Sequence, residues 1–144
     1  MELPSVSYME SVVGELRSDH ATIRVGSYRW PTDPVLRSDE PHIVTWIDRR
    51  GTPEFDAEVT LRDGRVIRAP FGALSFRPAG SSILVVSDGS TMQNRFVSCW
   101  ISPDHVREAL ANCDRLSGQA AARGFNLKSP RIREMIRRLG AEAR

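Results

Sequence analysis

The stretch from residue 71 to residue 101 limits the possible folds of this chain more than any other. It holds three segments rich in β-branched and aromatic residues, separated by clusters of glycine, proline, aspartate and serine. Such segments with short turns between them are typical of antiparallel strands in a sandwich or barrel. The predicted strands cover residues 71–77, 81–87 and 94–101.

Earlier segments add further strands. Residues 20–30 alternate between apolar and polar side chains, which predicts a half-buried strand. Residues 41–50 are apolar on both faces and should lie in the middle of a sheet. Residues 58–70 predict a hairpin, because Asp63 and Gly64 suit the type I′ turn between two strands. The sequence therefore predicts about seven strands.

Two regions before residue 41 carry weaker signals. Residues 1–19 are interpreted as either a short amphipathic helix or an arm laid on the barrel. Pro31 and Pro34 end the strand at 20–30 and predict a loop, since neither residue can donate to a strand ladder.

Past residue 101 the apolar period lengthens to that of helices. Ser102 and Pro103 predict a helix start, and Ser129 and Pro130 repeat that signal later. The first helix would carry an apolar stripe of Val106, Ala109, Leu110 and Cys113. The second would carry Ile132, Met135, Ile136 and Leu139, with arginines mostly on the opposite face.

Composition predicts one globular domain. The chain has 144 residues, of which 40% are hydrophobic and 26% are charged, and its net charge is only +2. The small net charge gives no bulk electrostatic argument for nucleic acid, although the last residues are rich in arginine. No apolar run approaches 18 residues and no signal peptide is recognisable, so we expect a cytoplasmic protein without a membrane partner.

The residue types offer little for catalysis. His20, His42 and His105 fall in separate elements without a second ligand at metal spacing, so we expect no metal, no cofactor and no catalytic residues. Cys99 and Cys113 are interpreted as small buried apolar residues. No phosphate loop, dinucleotide fingerprint or nucleophile elbow is present. A binding function is therefore favoured over an enzymatic one.

A small barrel can hold one small ligand. Aromatic residues with a few polar tips are typical of such sites, but the same residues could equally form an ordinary core. The candidate lining residues are Tyr28, Trp30, His42, Trp46, Phe76, Arg77, Ser98 and Trp100.

Three segments resemble the amino-terminal, cupin-type domain of AraC-family transcriptional regulators. They are residues 76–80 (FRPAG), residues 95–101 (RFVSCWI) followed by Ser102 and Pro103, and the helix from Ser129 to Leu139. The resemblance covers about residues 20–143. It implies an α+β chain that is mainly β: a cupin-like antiparallel β-barrel at 20–101, followed by two amphipathic helices at 102–144 in the same domain. Residues 1–19 would precede the barrel as an arm or a short helix.

The resemblance also implies a function. Such domains bind a small-molecule effector and form homodimers, and their DNA binding belongs to a helix-turn-helix part that these residues do not include. We expect Ile132, Met135, Ile136 and Leu139 to form the dimer interface, although such a stripe is also typical of an intramolecular core. The alternatives are a freestanding cupin enzyme, such as an isomerase or dioxygenase, and a structural interaction module without a ligand.

Overall fold

Nine strands form two antiparallel sheets in the computed structural model, which describes residues 10–29, 35–48, 55–85, 93–107 and 118–144. Sheet A has the strand order β1-β2-β9-β4-β7, and sheet B has the order β3-β8-β5-β6. Two helices follow the strands. The elements are β1 (Glu10–Arg17), β2 (Ala21–Arg29), β3 (Val35–Asp39), β4 (His42–Asp48), β5 (Phe55–Thr60), β6 (Val66–Phe71), β7 (Leu74–Arg77), β8 (Ser81–Val85), β9 (Gln93–Ile101), α1 (Gly118–Gly124) and α2 (Pro130–Ala143).

The strands from β2 to β9 pair in nested order along the sequence, the first with the last. Strand β2 pairs with β9, β3 with β8, β4 with β7, and β5 with β6, all antiparallel. The chain from β2 to β9 is therefore one long hairpin rolled up, and additional pairs β4–β9 and β5–β8 complete the two sheets. This is the double-sheet jelly-roll arrangement, to which cupins belong. It confirms the predicted fold class, a cupin-like antiparallel barrel followed by helices.

The two sheets face each other through side chains of β3. The guanidinium carbon of Arg37 lies 4.9 Å from the ring centroid of Trp100 on β9, and Arg77 on β7 donates a hydrogen bond to Asp39. Both contacts cross from sheet B to sheet A. Because side chains alternate along a strand, these two contacts identify which residues of each sheet point into the barrel interior.

The helices pack against two different apolar clusters. Helix α2 lies on the outer face of sheet A, where Ile136 and Ala143 join a cluster with Ile23, Val25, Leu74, Val97 and Cys99. Helix α1 contacts β6 and β7, and its Ala121 packs together with Phe125 against the inner face of sheet B. Phe125 stacks on Phe71 with ring centroids 5.4 Å apart. Each sheet thus has one apolar face, and a helical segment covers part of it.

Two strands were not predicted. The helix alternative for residues 1–19 is wrong for Glu10–Arg17, because that segment is strand β1, paired with β2 and interrupted by a bulge between Val12 and Gly14. The sheet therefore begins before residue 20. The loop predicted after Pro31 contains strand β3, which pairs with β8. In both strands the pairing partner determines the extended conformation.

The predicted hairpin between β5 and β6 is confirmed, but its turn is not of type I′. The N–H of Leu61 bonds to the carbonyl of Arg65, and the N–H of Gly64 bonds to the carbonyl of Leu61. Three residues therefore form the loop, and the last of them, Gly64, has a φ of 90°. A turn followed by a glycine with positive φ is the usual three-residue hairpin loop.

The first predicted helix does not begin at Ser102. Residues 103–107 form turns, since Ser102 is bonded through its N–H to the carbonyl of His20 and His105 closes a turn on Ser102. Ser-Pro is also a turn signal, which explains the misinterpretation. The apolar residues Ala109, Leu110 and Cys113 lie outside the described residues. Helix α1 occupies Gly118–Gly124, between the two segments that were predicted as helices.

The second helix begins as predicted. Ser129 is its N-cap, and its hydroxyl accepts a hydrogen bond of 3.3 Å from the N–H of Ile132. On its exposed face, Arg137 and Arg138 lower the pKa of Glu134 to about 2 by hydrogen bonding to the carboxylate. No helix among the described residues is long and apolar enough to cross a bilayer.

Gly140 allows the close contact between α2 and sheet A. A Cβ atom at this position would lie 2.7 Å from Cγ2 of Val97, and the β-branched valine has little rotamer freedom with which to move. We predict that Gly140→Ala lowers the free energy of unfolding by about 1–2 kcal/mol in urea titrations, despite the helix propensity of alanine.

The control removes the obstacle. In a Val97→Ala background, Gly140→Ala should be neutral or stabilising by up to about 1 kcal/mol, because the clashing methyl groups are gone. An equal loss in both backgrounds would show that the contact with Val97 is not the reason for the glycine.

Candidate functional site

A row of polar side chains crosses the inner face of sheet A. Residues directly opposite one another on paired strands share a face, and the register places five polar residues in one line. Their hydroxyl and charged groups interact along the row: the hydroxyls of Thr45 and Ser98 are 3.3 Å apart, and Arg24 donates to Glu15 at 3.0 Å. We call Ser75, Thr45, Ser98, Arg24 and Glu15 the polar row.

Next to the polar row lies a buried ion pair that we call the Asp39 cluster. Asp39 is 1% exposed and accepts hydrogen bonds from two guanidinium groups, from Arg77 at 2.5 Å and from Arg37 at 3.1 Å. Arg37 also lies over Trp100, and Ser81 pairs with Asp39 across β3 and β8. Since a carboxylate is expensive to bury, these hydrogen bonds offset the cost of placing Asp39 in the interior.

The indole nitrogen Nε1 of Trp100 and the hydroxyl of Ser81, beside the Asp39 cluster, lack a hydrogen-bond partner within the described residues. Trp100 is 2% exposed and Ser81 is 1% exposed. Buried polar atoms are usually hydrogen-bonded, because an unsatisfied donor loses its bonds to water without replacement. The strand register directs both residues into the barrel interior.

The inner face of sheet B opposite these groups is apolar. Val59 is fully buried, and Ile67 and Ile83 lie beside it on the neighbouring strands. Together with Ala57 and Ala69 they form what we call the apolar wall. The interior therefore has a polar side on sheet A and an apolar side on sheet B, against which Ala121 and Phe125 also pack.

The predicted lining residues are divided between the two faces of sheet A. Arg77, Ser98 and Trp100 point inward, as their register with Ile43 and Thr45 requires. The remaining described residues, His42, Trp46 and Phe76, belong to the outer face. Trp30 and the side chain of Tyr28 lie outside the described residues.

The outward-facing residues have structural contacts. His42 is buried, its Nδ1 accepts a hydrogen bond of 2.9 Å from the N–H of Ala79, and its ring lies 5.8 Å from that of Phe76. Trp46 packs in the cluster under α2 and lines a cleft of about 360 Å³ near Arg95 and Arg144. These three residues thus do not belong to the interior site.

The four residues predicted for a dimer interface also divide. Ile136 is buried and Leu139 packs beside it against sheet A, so both belong to the intramolecular core. Ile132 and Met135 are 37% and 58% exposed. Only these two remain as candidates for an intermolecular contact on α2.

The histidines and the described cysteine have ordinary surroundings. His20 and His105 stack on the surface with ring centroids 3.9 Å apart. Cys99 is buried on the outer face of sheet A, and burial raises the pKa of its thiol. In the described part of the chain, no group of three or more His, Cys, Asp or Glu side chains is placed to share a metal ion.

Arg37 and Asp39 were not predicted from the sequence, although Asp39 connects Arg37 to Arg77 at the site. Both lie on β3, the strand interpreted as a loop. The available signal was the alternation within VLRSD, where Arg37 and Asp39 share one face. Charged residues on the inward face of a strand contradict the usual pattern, which is why the segment did not read as a strand.

No protein-family model and no curated protein matches the chain. Among solved structures it is similar to a cupin domain from Bordetella pertussis, at 12% identity over 69% of this chain and 99% of that one, with a TM-score of 0.40. It is also similar to an RmlC-like cupin family protein with a double-stranded β-helix fold from Methanocaldococcus jannaschii, at 13% identity over 74% and 95%, with a TM-score of 0.42.

A third similar structure is hydroxypropylphosphonic acid epoxidase from S. wedmorenis, at 9% identity over 64% of this chain and 55% of that one, with a TM-score of 0.42. This chain thus spans about half the length of the epoxidase. Because all three TM-scores are below 0.5, the likenesses carry no argument about function. The fold assignment rests on the strand order and pairing.

The Asp39 cluster should be a strong determinant of stability. Asp39→Asn keeps the size of the side chain but leaves two guanidinium groups near a neutral amide in the interior, and we expect it to cost about 3–5 kcal/mol in urea unfolding. The matched control is Glu58→Gln, which changes an outward-facing carboxylate paired with Arg68 at 3.1 Å. That change should cost less than about 1 kcal/mol, and similar losses for the two variants would contradict the prediction.

Proposed function

We propose that this chain is the effector-sensing and homodimerising part of an AraC-type transcriptional regulator, not an enzyme. A small molecule binds between the two sheets, and a helix-turn-helix part outside these residues binds DNA. The observation that carries the proposal is the division of the interior into the polar row with the Asp39 cluster on one side and the apolar wall on the other.

The chemistry of the inward-facing polar groups supports binding. Ser75 and Ser98 are buried, 4% and 6% exposed, yet carry hydroxyls that can turn to donate or accept. Hydroxyls and guanidinium groups orient a ligand through hydrogen bonds, while the apolar wall supplies affinity by burial. A structural module would have no need of such groups, since an apolar core of similar volume is as stable or more so.

Strand β9 provides a short connection between a bound ligand and helix α2. Ser98 and Trp100 point into the interior, while Val97 and Cys99 point to the outer face, where they contact the cluster that includes Ile136. A displacement of β9 by a ligand therefore reaches α2 through the thickness of a single strand. Such a ligand changes the equilibrium only by its difference in affinity for two arrangements of β9 and α2.

The exposed part of α2 supports a contact between two copies. Ile132 and Met135 form an apolar spot among arginines on the outward side of the helix. Two such spots would be covered if the helices of two copies pack together. The proposed dimer is coupled to the interior because the opposite side of the same helix rests on β9.

Removing the hydroxyls of the polar row should weaken ligand binding without unfolding the protein. We expect Thr45→Val with Ser98→Ala to be nearly neutral in stability, because both partners of the hydrogen bond are removed together. Compounds that raise the melting temperature of the native chain in a library of small acids, sugars and amines should bind the variant about tenfold or more weakly in calorimetry.

The control is Ser38→Ala with Ser82→Ala, which removes a hydroxyl pair 2.8 Å apart on the outer face of sheet B. Its affinity for the same compounds should equal that of the native chain. Equal weakening in both variants, or no compound that binds the native chain, would argue against the proposed function. A stoichiometric transition metal in native mass spectrometry would favour the enzyme alternative instead.

The dimer has its own test. Ile132→Glu with Met135→Glu should give a folded monomer in analytical ultracentrifugation, because each change places a charge in the proposed contact. The control is Leu36→Glu with Val66→Glu, which alters two exposed aliphatic residues of sheet B, 67% and 57% exposed, and should leave the dimer intact. A native chain that sediments as a monomer, or a dimer that survives the helix variant, would remove α2 from the interface.

A further inference from the structure

We propose that the ligand presents a carboxylate to Trp100 and Ser81 and carries an apolar body. The inference rests on the proposed small-molecule function, and it deepens that function by naming the chemical class of the ligand. Three observations at the Asp39 cluster support it: the two polar atoms without partners, the neighbouring guanidinium groups, and the apolar wall opposite.

The polar atoms require an acceptor. The indole nitrogen of Trp100 can only donate a hydrogen bond, and the hydroxyl of Ser81 can donate one. Both atoms are buried and lack a partner among the described residues, and both residues face the interior. A ligand oxygen that accepts these bonds gains more than it would at the surface, because water no longer competes for the donors.

The surroundings favour an acceptor with negative charge. Arg37 lies 4.9 Å above the Trp100 ring, and its Nε atom and Arg77 Nη2 both bond to Asp39, which is opposite Ser81 in the register. An acceptor that reaches Trp100 and Ser81 is therefore close to two guanidinium groups and one carboxylate, so the positive charges outnumber the negative charge. Charge interactions are strong in a buried, low-dielectric site, and hydrogen bonds to a charged acceptor are stronger than those to a neutral one.

The rest of the ligand faces the apolar wall. Val59 and Ile83 lie on β5 and β8, on the face that β3 shares with Arg37. A molecule whose carboxylate occupies the Asp39 cluster thus extends its other end over buried aliphatic groups. Burial of an aliphatic or aromatic body there adds affinity in proportion to its area, so the expected class is a monocarboxylic acid with an apolar body.

The test compares acids with neutral analogues of the same shape. Calorimetric titrations of the full chain with benzoate and hexanoate, and with benzamide and hexanamide, should show at least about tenfold tighter binding of the acids. Trp100→Phe keeps an aromatic ring under Arg37 but removes the N–H, and it should weaken acid binding by about tenfold. Ser81→Ala should also weaken acid binding, by several-fold, and it provides the test if Trp100→Phe does not fold.

The controls make the same substitutions on the opposite faces. Trp46→Phe alters the outer face of sheet A, and Ser82→Ala alters the outer face of sheet B. Both should bind the acids as the native chain does. Loss of affinity in these controls equal to that in Trp100→Phe and Ser81→Ala would overturn the assignment to the Asp39 cluster.

The failures of the two proposals are distinguishable. Amides that bind as tightly as the acids would overturn the carboxylate but leave small-molecule sensing intact. Acids that bind Trp100→Phe and Ser81→Ala unchanged would place the site elsewhere and overturn the inference. If neither series binds at concentrations of about 10 mM, the inference fails. The compound library and the Thr45→Val with Ser98→Ala variant then decide separately whether the interior binds any small molecule.

Discussion

The alternation of side chains along the strands of sheet A determines the rest of the structure. On β9, Val97 and Cys99 join the apolar cluster under α2, while Ser98 and Trp100 face the interior. A shift of one residue in register would exchange these two sets and place hydroxyls under the helix. The helix contact, the polar row and the Asp39 cluster therefore all depend on the same register.

The buried ion pair at Asp39 fixes the distance between the sheets. A single carboxylate on β3 is bonded to Arg37 on the same strand and to Arg77 on β7, so sheet B is connected to sheet A by directional hydrogen bonds. Buried ion pairs contribute little net stability compared with apolar packing, but the loss of one partner is costly. Their value at this place lies in geometry, because they hold Arg37 over Trp100 and orient the groups that face the interior.

The sequence was informative where local chemistry alone determines the structure. The apolar run at Ile83, the turn glycine at Gly64 and the N-cap at Ser129 were each sufficient to place an element. Strands β1 and β3 were missed because pairing with β2 and β8 determines their extended conformation, whereas the pattern of their own residues does not. Of the predicted lining residues, Arg77, Ser98 and Trp100 face the interior.

The sequence could not predict which face of its strand each of the candidate site residues occupies. Trp46 and Trp100 are both tryptophans in apolar strands, and only the register shows that one packs under α2 while the other lies beneath Arg37. Period-2 alternation gives the two faces of a strand, but it does not tell which face is inside when both are apolar. Strand β4, apolar on both faces, is such a case.

Strand β9 joins the interior to the helix through its two faces. In the proposed function, a ligand bonded to Trp100 or Ser98 acts on β9, while Ser81 holds the same ligand from sheet B. On the outer face of β9, Val97 lies against α2 at Gly140, where an added Cβ atom would come within 2.7 Å of Val97 Cγ2. Because this contact has so little space, a movement of β9 must shift the helix or open the contact.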